Sequence, residues 1–324
     1  MTTPTTPIAT LRQAAARGDP KARLALGEAL LRVGDSREAY VEAEAEIRAA
    51  HAAGAADATA RLAMLSAMGV GAPADWRLAL SLLAQAATAG SVDAQGQLRA
   101  LADSDGDDWP ALAAAVDLAA WTRIPAKRVL SVTPRVATID GFLSRRVCDW
   151  VIARARSRIA PAQVFDLETG AAAQADARSN SAVEFNFADV DVVTSLVRAS
   201  IAASIDVPLL GLEPTQVLHY EVGQSFAPHY DFMDTRIPGL ALEAQRGGQR
   251  IATFLVYLND GFEGGETDFP LIHVRAKAPP GGALYFANVD AAGAPDPRTL
   301  HAGLAPTSGE KWLLSQWVRN RVRV

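Results

Sequence analysis

The sequence has little of what several classes of protein depend on, and cysteine is its scarcest residue. Cys148 is the only cysteine among 324 residues, so no disulfide can form within the chain and nothing requires an oxidising compartment. Basic residues are also in the minority, since 31 lysines and arginines face 36 aspartates and glutamates. The resulting net charge of −5 disfavours a nucleic-acid-binding protein that works through bulk positive charge, although a local basic pocket stays possible.

Long apolar runs are missing as well. No segment approaches the roughly eighteen consecutive apolar residues that a membrane-spanning helix needs. The opening residues, MTTPTTPIAT, have neither the charged start nor the apolar stretch of a secretory signal. We therefore expect a soluble, cytoplasmic protein that binds neither membranes nor nucleic acid.

At 324 residues the chain is long for one domain, and its first third is rich in alanine and contains a repeat. Gly18, Gly54 and Gly90 recur every 36 residues. An alanine lies four residues before and four residues after each glycine, and a leucine lies eight residues after it. Small residues at this spacing let helices pack closely, and a glycine ends one helix before the next begins. Repeats of this length are typical of stacked helical hairpins.

One of the repeat segments reads MGVGAPADWRLALSLLAQAATAG. It resembles Sel1-like repeats, which are relatives of the tetratricopeptide repeat. The resemblance implies an N-terminal α-helical solenoid over residues 1–105, and a plain helical bundle is the alternative. An acidic linker with a short helix is expected over 106–124, before a second domain over 125–324.

The second domain is predicted to begin with a helix and to continue as β structure. The segment SRRVCDWVIARARSRI has apolar residues at helical spacing after Ser144, a residue type that favours a helix N-terminus. Short β-rich runs then alternate with turn signals such as NDGFEGGE and PPGG. These runs are TQVLHY, RIATFLVYL, LIHVRA, GALYFANV and KWLLSQWV. Many short strands that close on one another predict a sandwich or barrel, with the jelly roll as one candidate.

Histidine is scarce too, with five residues, but the stretch SFAPHYDF places His229 two positions from Asp231. In an extended strand such residues point to the same face, so an imidazole and a carboxylate converge in a way that suits a divalent first-row metal. His301, in PRTLHAGL, is the distant third candidate. Two histidines and a carboxylate form a facial triad that leaves three positions of Fe(II) open. The remaining histidines are interpreted as structural: His51, His219 and His273.

Four motifs stand in a fixed order around these residues: LHYEVGQSFAPHYDF, QRIATFLVYLNDGFEGGETDFP, TLHAG and GEKWLLSQWV. The segments ATIDGFLSRRVCDWVI and ARSNSAVEF lie upstream. Together, over residues 129–324, they resemble the prolyl 4-hydroxylase branch of the 2-oxoglutarate- and Fe(II)-dependent oxygenases. The resemblance implies a double-stranded β-helix, that is, a jelly roll flanked by helices. It also implies hydroxylation of a prolyl residue in a peptide or protein, with succinate and carbon dioxide as co-products.

The resemblance assigns the metal and cosubstrate residues. It implies that His229, Asp231 and His301 bind Fe(II) and act in catalysis, and that Lys311 binds the distal carboxylate of 2-oxoglutarate, with ascorbate as the reductant. The assignment of Lys311 is physically sound, because a dicarboxylate cosubstrate needs a cation beyond the metal. Lys311 and Trp317 are six positions apart, so one continuous strand places them on the same face.

Further roles implied by the resemblance concern two tyrosines and two substrate contacts. The Tyr257 hydroxyl matches a group that binds the same carboxylate, and Tyr220 matches a tyrosine that lines the metal pocket. Trp317 and Arg178 match residues that meet the peptide substrate. Thr253 shares a strand face with Tyr257 and is interpreted as part of the pocket wall.

The sequence departs from the family pattern in two places. Asn180 stands in ARSNSAVEF where the family commonly has threonine or serine, and the segment MDTRIPGLALEAQRGG is longer than the minimal form. Both lie where substrate loops are expected, so they leave the metal chemistry in place and put the identity of the substrate in question.

Three other functions remain open from the sequence. The same oxygenase chemistry could act on a free amino acid or another small molecule. The helical repeats could belong to an adaptor with a catalytically silent barrel, although such a barrel has no need of the complete triad and Lys311. A zinc hydrolase would leave Lys311 unexplained, and no glutamate base in a zinc-motif helix is evident.

Overall fold

The computed structural model describes residues 6–34, 36–162, 164–165, 172–173 and 177–321. The chain divides into two compact units. A helical unit comprises Met1–Trp121 and Asn186–Val197, and a β-rich unit comprises Thr122–Phe185 and Arg198–Val324. The helices of the expected linker therefore belong to the helical unit, and so do residues 186–197, which the sequence analysis assigned to the second domain.

The helical unit begins with six helices arranged along the chain as three pairs. Helices α1 to α6 span Ile8–Ala16, Pro20–Val33, Arg37–Ala52, Ala56–Met68, Trp76–Thr88 and Val92–Leu101. Two shorter helices follow, α7 at Trp109–Ala115 and α8 at Leu118–Trp121. Within the described part of the chain, no helix combines the length and the apolar character that crossing a bilayer would require.

The repeat glycines lie between the two helices of each pair. Gly18, Gly54 and Gly90 have φ angles of +87°, +84° and +95°, a backbone conformation that glycine adopts without steric cost. The alanines four residues after them, Ala22, Ala58 and Ala94, are all buried. The predicted spacing therefore works as expected: the glycine ends one helix and the alanine lets the next pack closely.

Further along the chain lie helices α9 (Arg145–Arg156), α10 (Val192–Ser204) and α11 (Pro238–Gly247). The Ser144 hydroxyl accepts a hydrogen bond from the backbone N–H of Val147 at 3.3 Å, which confirms the predicted start of α9. Helix α11 forms within the MDTRIPGLALEAQRGG segment that departs from the family pattern. This added length is therefore an ordered helix.

The strands of the β-rich unit are short. Strands β1 to β8 span Arg128–Ser131, Val136–Ile139, Ala160–Pro161, Val164–Phe165, Ala172–Ala173, Ser181–Phe185, Thr215–Tyr220 and Phe226–His229. Strands β9 to β16 span Arg250–Tyr257, Glu263–Gly264, Thr267–Phe269, Val274–Ala276, Ala283–Ala287, His301–Gly303, Pro306–Ser308 and Lys311–Arg319.

Two antiparallel sheets enclose the core of this unit. The larger of these two sheets has the order β1-β2-β13-β9-β16-β7-β6-β3 and the smaller has the order β12-β11-β14-β8. Among the described residues, two further sheets have two strands each, β10-β15 and β4-β5. The buried cluster takes side chains from both sheets, such as Leu255, Phe286 and Leu313 from the first and Phe269 and Ala276 from the second. The protein is thus a mixed α and β protein with antiparallel sheets, and its β core lies between two facing layers.

The predicted strands agree with the structure except in one run. TQVLHY is β7 residue for residue, and KWLLSQWV lies within β16. In LIHVRA only Val274–Ala276 is strand, because Pro270–Ile272 forms a 3₁₀ turn and His273 has a φ of +53°. The proline and the left-handed backbone of His273 prevent regular pairing over the first half of the run.

Candidate active site

Strand pairing brings the two predicted metal-binding histidines together. His229 ends β8 and His301 begins β14, and the two residues are direct partners in the antiparallel register. Their rings lie 4.3 Å apart between centroids. Asp231 comes two residues after the end of β8. The sheet therefore joins a His-x-Asp pair to a histidine 70 positions further along the chain.

The Asp231 carboxylate lies between the two imidazoles. Its Oδ1 atom is 3.6 Å from Nε2 of His229, and its Oδ2 atom is 3.5 Å from Nε2 of His301. Across the described ranges, this is the one group of histidine, cysteine, aspartate and glutamate side chains that could hold a metal ion, with ligand atoms within 4.8 Å of one another. Two nitrogens and a carboxylate suit a first-row metal such as Fe(II).

Hydrogen bonds on the far side of each ring fix the tautomers. Nδ1 of His229 lies 2.8 Å from the carbonyl oxygen of Ala227, and Nδ1 of His301 lies 2.9 Å from that of Thr299. A carbonyl oxygen can only accept, so each Nδ1 carries the hydrogen and donates. The lone pair of each ring is therefore on Nε2, directed towards Asp231, which is the arrangement of a metal-ligating histidine.

Burial and the neighbouring groups set the protonation of the cluster. Burial lowers the pKa of His301 to about 4, so its imidazole is neutral at physiological pH. Burial alone would raise the pKa of Asp231, but His301, His229 and a hydrogen bond from Thr253 outweigh it and hold the pKa below its usual value. A neutral imidazole and an ionised carboxylate are the forms that bind a metal.

Aromatic side chains hold both rings in place. Phe226 stacks on His229 with centroids 3.6 Å apart and an angle of 13° between the planes. Phe286 meets His301 edge to face, with centroids 4.6 Å apart. These contacts restrict rotation of the imidazoles, so the donor nitrogens are already oriented in the protein alone.

Lys311 lies in the same cleft as the His/Asp/His cluster. Its side chain is fully buried, and its Nζ atom has no hydrogen-bond partner among the described residues. Burial lowers the pKa of Lys311 to about 7, while Glu266 acts to raise it and Lys277 to lower it further. A buried ammonium without a partner is costly, so a site of this kind is suited to an anionic group that enters from outside.

The cleft is lined by side chains of β7, β8, β9, β14 and β16. They comprise Gln216, Leu218, Tyr220, Phe226, His229, Leu255, His301, Gly303, Lys311, Leu313, Ser315 and Trp317, together with Arg178, Asp231 and Thr267. The alternation along β16 is as predicted, because Lys311, Leu313, Ser315 and Trp317 all face the cleft. The structure thus brings seven of the eight predicted site residues to one surface.

Tyr257 is the predicted site residue that does not line the cleft. Its hydroxyl donates to the carbonyl oxygen of Ala276 at 3.1 Å and lies 3.0 Å from the Thr267 hydroxyl, and the whole side chain is buried. Thr267 itself lines the cleft. The contact of Tyr257 with 2-oxoglutarate stays a prediction. Tyr220 does face the cleft, and burial raises its pKa to about 12, so its hydroxyl stays protonated.

The two predicted substrate contacts, Arg178 and Trp317, also border the cleft. The Arg178 guanidinium lies over the Phe226 ring at 4.8 Å, and its Nε donates to Oδ1 of Asn180 at 3.2 Å. Arg250 lies 3.5 Å above the Trp317 ring. Asn180, one of the departures from the family pattern, therefore holds a side chain that lines the cleft but does not line the cleft itself.

Thr253 has a closer relation to the cluster than the sequence indicated. Its hydroxyl lies 2.6 Å from Oδ2 of Asp231, and it receives a hydrogen bond from Nδ2 of Asn288 at 3.0 Å. The alternation along β9 predicts that Thr253 forms part of the pocket wall, but it lies behind Asp231 and is not among the residues that line the cleft. No sequence signal connects it to Asp231 or Asn288, because these contacts join separate strands and loops.

The other histidines take no part in the cluster. His219 faces the opposite side of β7 from Tyr220, where its Nε2 lies 2.8 Å from a carboxylate oxygen of Glu310. His51 contacts the hydroxyl of Thr59 at 2.8 Å within the helical unit. His273 occupies the left-handed turn before β12. The structural interpretation of these three residues agrees with their positions.

Comparison with known proteins gives consistent results for the β-rich unit. The profile of the 2OG-Fe(II) oxygenase superfamily matches residues 215–319, which contain the whole His/Asp/His cluster and Lys311. Prolyl 4-hydroxylase 1 of Arabidopsis thaliana is 35% identical over 208 residues, which are 60% of this chain and 71% of that protein.

Two solved structures are also similar to parts of the chain. The viral collagen prolyl hydroxylase of Paramecium Bursaria Chlorella virus-1 is 29% identical, with a TM-score of 0.43, over 57% of this chain and 95% of that one. A Sel1 repeat protein from Oxalobacter formigenes is 23% identical, with a TM-score of 0.27, over 36% of this chain and 52% of that one.

Proposed function

Because this chain belongs to the prolyl 4-hydroxylase family of 2-oxoglutarate- and Fe(II)-dependent oxygenases, we propose that it hydroxylates a prolyl residue of a peptide or protein. The observation that carries the proposal is the buried, unpartnered ammonium of Lys311 in the same cleft as the His/Asp/His cluster. A metal site by itself is compatible with several classes of enzyme. A metal site together with a buried lysine ammonium fits a cosubstrate that binds the metal at one end and carries a carboxylate at the other.

The residues present fit both groups that the family requires. Nε2 of His229, Nε2 of His301 and the carboxylate of Asp231 would hold Fe(II), since all three offer lone pairs to one small volume. Lys311 would hold the distal carboxylate of 2-oxoglutarate. When bound, the iron supplies the oxidation chemistry that couples decarboxylation of the cosubstrate to hydroxylation of a C–H bond.

The chain's own side chains orient the reactants and keep water out. Phe226 and Phe286 hold the two imidazoles against rotation, and Thr299 and Ala227 fix the tautomers through their carbonyl groups. Apolar residues on neighbouring strands, such as Leu255, complete the cleft wall. A dry site strengthens the attraction between Lys311 and an incoming carboxylate.

The prolyl substrate is supported by the relatives and by the wall of the cleft. The Arabidopsis relative is a prolyl 4-hydroxylase, and the viral one is a collagen prolyl hydroxylase. Trp317 and Arg178 border the same cleft as Lys311, and aromatic surfaces suit proline-rich peptides in an extended conformation. We expect Trp317 and Arg178 to contact the peptide. Ascorbate as the reductant rests on the family resemblance.

The finer architecture belongs to the same proposal. The two facing antiparallel sheets support a double-stranded β-helix, and the three helix pairs with a 36-residue period support a Sel1-like solenoid. Solenoids offer extended surfaces for peptides and proteins, so recruitment of the substrate is the role we propose for the helical unit.

Succinate release by the purified full-length chain tests the function. We expect Fe(II)- and 2-oxoglutarate-dependent succinate formation that proline-containing peptides stimulate and free proline does not. Asp231→Ala should abolish turnover, whereas Asp234→Ala should leave it unchanged, because Asp234 is bonded to Arg236 outside the cluster. Stimulation by free amino acids alone would replace the peptide substrate with a small molecule. Full turnover by Asp231→Ala would refute the metal assignment.

A further inference from the structure

Beneath the metal cluster lies a short chain of buried hydrogen bonds. Thr253 is 1% exposed, and its hydroxyl oxygen lies 2.6 Å from Oδ2 of Asp231. Asn288 is fully buried, and its Nδ2 donates to the same hydroxyl oxygen at 3.0 Å. These contacts join a residue of β9 and a residue of the loop after β13 to the carboxylate of the cluster.

The direction of the bonds follows from the chemistry of the groups. The Asn288 amide N–H occupies a lone pair of the Thr253 oxygen, and the Asp231 carboxylate can only accept. The single hydroxyl hydrogen of Thr253 therefore points to Oδ2 of Asp231. Asn288 is itself held by its backbone, whose N–H donates to the carbonyl of Ile251 at 2.8 Å and whose carbonyl accepts from Asp296 at 3.1 Å.

Thr253 accounts for one of the two oxygens of the carboxylate. Oδ2 receives its hydrogen bond and also lies 3.5 Å from Nε2 of His301, whereas Oδ1 faces Nε2 of His229 with no donor from Thr253. A metal-bound carboxylate keeps its orientation when a hydrogen bond holds its second oxygen. In a site that is almost wholly buried, few other groups are available to take over that bond, since Asp231 is 5% exposed.

We infer that Thr253, held by Asn288, is a positioning residue that fixes the orientation of the Asp231 carboxylate between the two metal-binding imidazoles. This inference rests on the proposed metal function of the same cluster. Thr253 touches neither substrate nor cosubstrate in this role and acts only through Asp231. Loss of a partner of this type typically weakens metal binding by about 10- to 100-fold.

Thr253→Val is the direct test, because valine keeps the shape of threonine and removes the hydroxyl. Co(II) added to the metal-free, full-length protein is the probe, and its dissociation constant and d–d absorption spectrum are the readouts. We expect Thr253→Val to raise the dissociation constant by about 10- to 100-fold and to change the spectrum, because the released carboxylate can turn. Thr253→Ser should restore both, and Asn288→Ala should show a smaller loss of the same sign.

Thr138→Val is the matched control. Thr138 is also 1% exposed in the same eight-stranded sheet, but its hydroxyl has no partner among the described residues. Thr138→Val should therefore leave the dissociation constant and the spectrum of Co(II) unchanged. Thr253→Val that binds Co(II) within 2-fold of the parent, or Thr253→Ser that binds as weakly as Thr253→Val, would overturn the inference. If Thr253→Val does not fold, Asn288→Ala provides the test instead. An Asn288→Ala protein with the parent's Co(II) affinity and spectrum would overturn the inference.

The same titration separates this inference from the proposed function. Asp231→Ala and His301→Ala should lose Co(II) binding at the cluster altogether. If they bind Co(II) as the parent does, the metal is elsewhere and the proposed function fails. If they lose it while Thr253→Val keeps parental affinity and spectrum, the metal site stands and only the positioning role is wrong.

Discussion

Lys311 and Tyr220 are direct partners across strands β16 and β7, and the Lys311 ammonium lies 4.5 Å from the centre of the Tyr220 ring. The ring face gives the cation a weak attraction without supplying a hydrogen-bond acceptor. The buried Lys311 ammonium therefore remains able to bind an incoming carboxylate. The pair defines the end of the cleft where we place the distal carboxylate of 2-oxoglutarate, and the metal cluster lies elsewhere on the same cleft.

Replacing the Lys311 charge with an apolar chain of similar length separates its binding role from its structural role. Lys311→Met should weaken 2-oxoglutarate binding by about 2–5 kcal/mol, which is at least about 30-fold in the dissociation constant. The folded protein should not lose stability, because the substitution removes a buried ammonium that has no partner. Isothermal titration with 2-oxoglutarate and thermal unfolding measure the two effects.

Lys277→Met controls for a general loss of positive charge near the site. Lys277 is exposed and donates to the carbonyl oxygens of Phe262 and Gly264, so it has partners of its own. We expect its replacement to change 2-oxoglutarate affinity by less than about 3-fold, as for a surface charge. An equal loss of 2-oxoglutarate affinity in Lys311→Met and Lys277→Met would mean that Lys311 contributes only to the general electrostatic field.

The depressed pKa of Lys311 predicts that 2-oxoglutarate binding takes up a proton. In the free protein the pKa is about 7, so the amine is mostly neutral at pH 8, whereas a bound carboxylate favours the ammonium form. Calorimetric titration at pH 8 in buffers of different ionisation enthalpy should show uptake of close to one proton, and Lys311→Met should show none. The absence of uptake by the parent protein at pH 8 would contradict the role of Lys311.

The lowered pKa of Lys311 also affects the free energy of unfolding. This effect changes with pH in the opposite direction to the affinity for 2-oxoglutarate. Between pH 7 and the ordinary lysine value of 10.5, the unfolded chain keeps a proton that the folded protein has released from Lys311. The contribution of Lys311 to the free energy of unfolding therefore rises with pH across this window, while affinity for 2-oxoglutarate falls. Comparing the parent with Lys311→Met in urea unfolding at pH 7 and pH 9 isolates this contribution.

Cys148 should be unreactive in the folded protein. It lies on α9, is fully buried, and burial raises the pKa of its thiol to about 12. Because the thiolate is the reactive form, Ellman's reagent should modify Cys148 only after unfolding in denaturant. Ser157→Cys, at the exposed end of the same helix, supplies a thiol that should react at once. Rapid modification of Cys148 in the folded parent would contradict the burial of this face of α9.

The sequence was most informative where one motif or one period places the chemistry. The order of the motifs picked out His229, Asp231 and His301, and strand alternation placed Lys311 and Trp317 on one face, as found. The 36-residue repeat located the glycines between the paired helices. In each case the information is local to a few residues of one element or is repeated along the chain.

What could not be predicted depends on contacts between distant segments. The hydrogen bonds of Thr253 with Asp231 and Asn288 join three separate parts of the chain, and no periodicity marks them. Likewise, the Tyr257 hydroxyl is bonded to Ala276, nineteen residues away, although its strand position suggested the cleft. The membership of residues 186–197 in the helical unit is also a tertiary property.

Two glycines of one turn region differ in how close they lie to Lys311. Gly265 and Gly261 both have left-handed backbones, with φ angles of +70° and +79°. A Cβ on Gly265 would lie 2.9 Å from a ring carbon of Phe262 and 3.1 Å from Cδ of Lys311, whereas a Cβ on Gly261 would meet nothing within 4 Å. An alanine at either position therefore carries the same backbone cost, but only one of them disturbs the lysine.

We expect Gly261→Ala to lower the free energy of unfolding by about 1–2 kcal/mol, the cost of a left-handed alanine, and Gly265→Ala to lower it further, because its Cβ also overlaps the Phe262 ring. Gly265→Ala should in addition raise the dissociation constant of 2-oxoglutarate by about tenfold, because displacement of a binding group by a few tenths of an ångström is costly. Gly261→Ala should bind 2-oxoglutarate as the parent does. Equal affinity in both variants would show that the cosubstrate does not depend on where the Lys311 side chain lies.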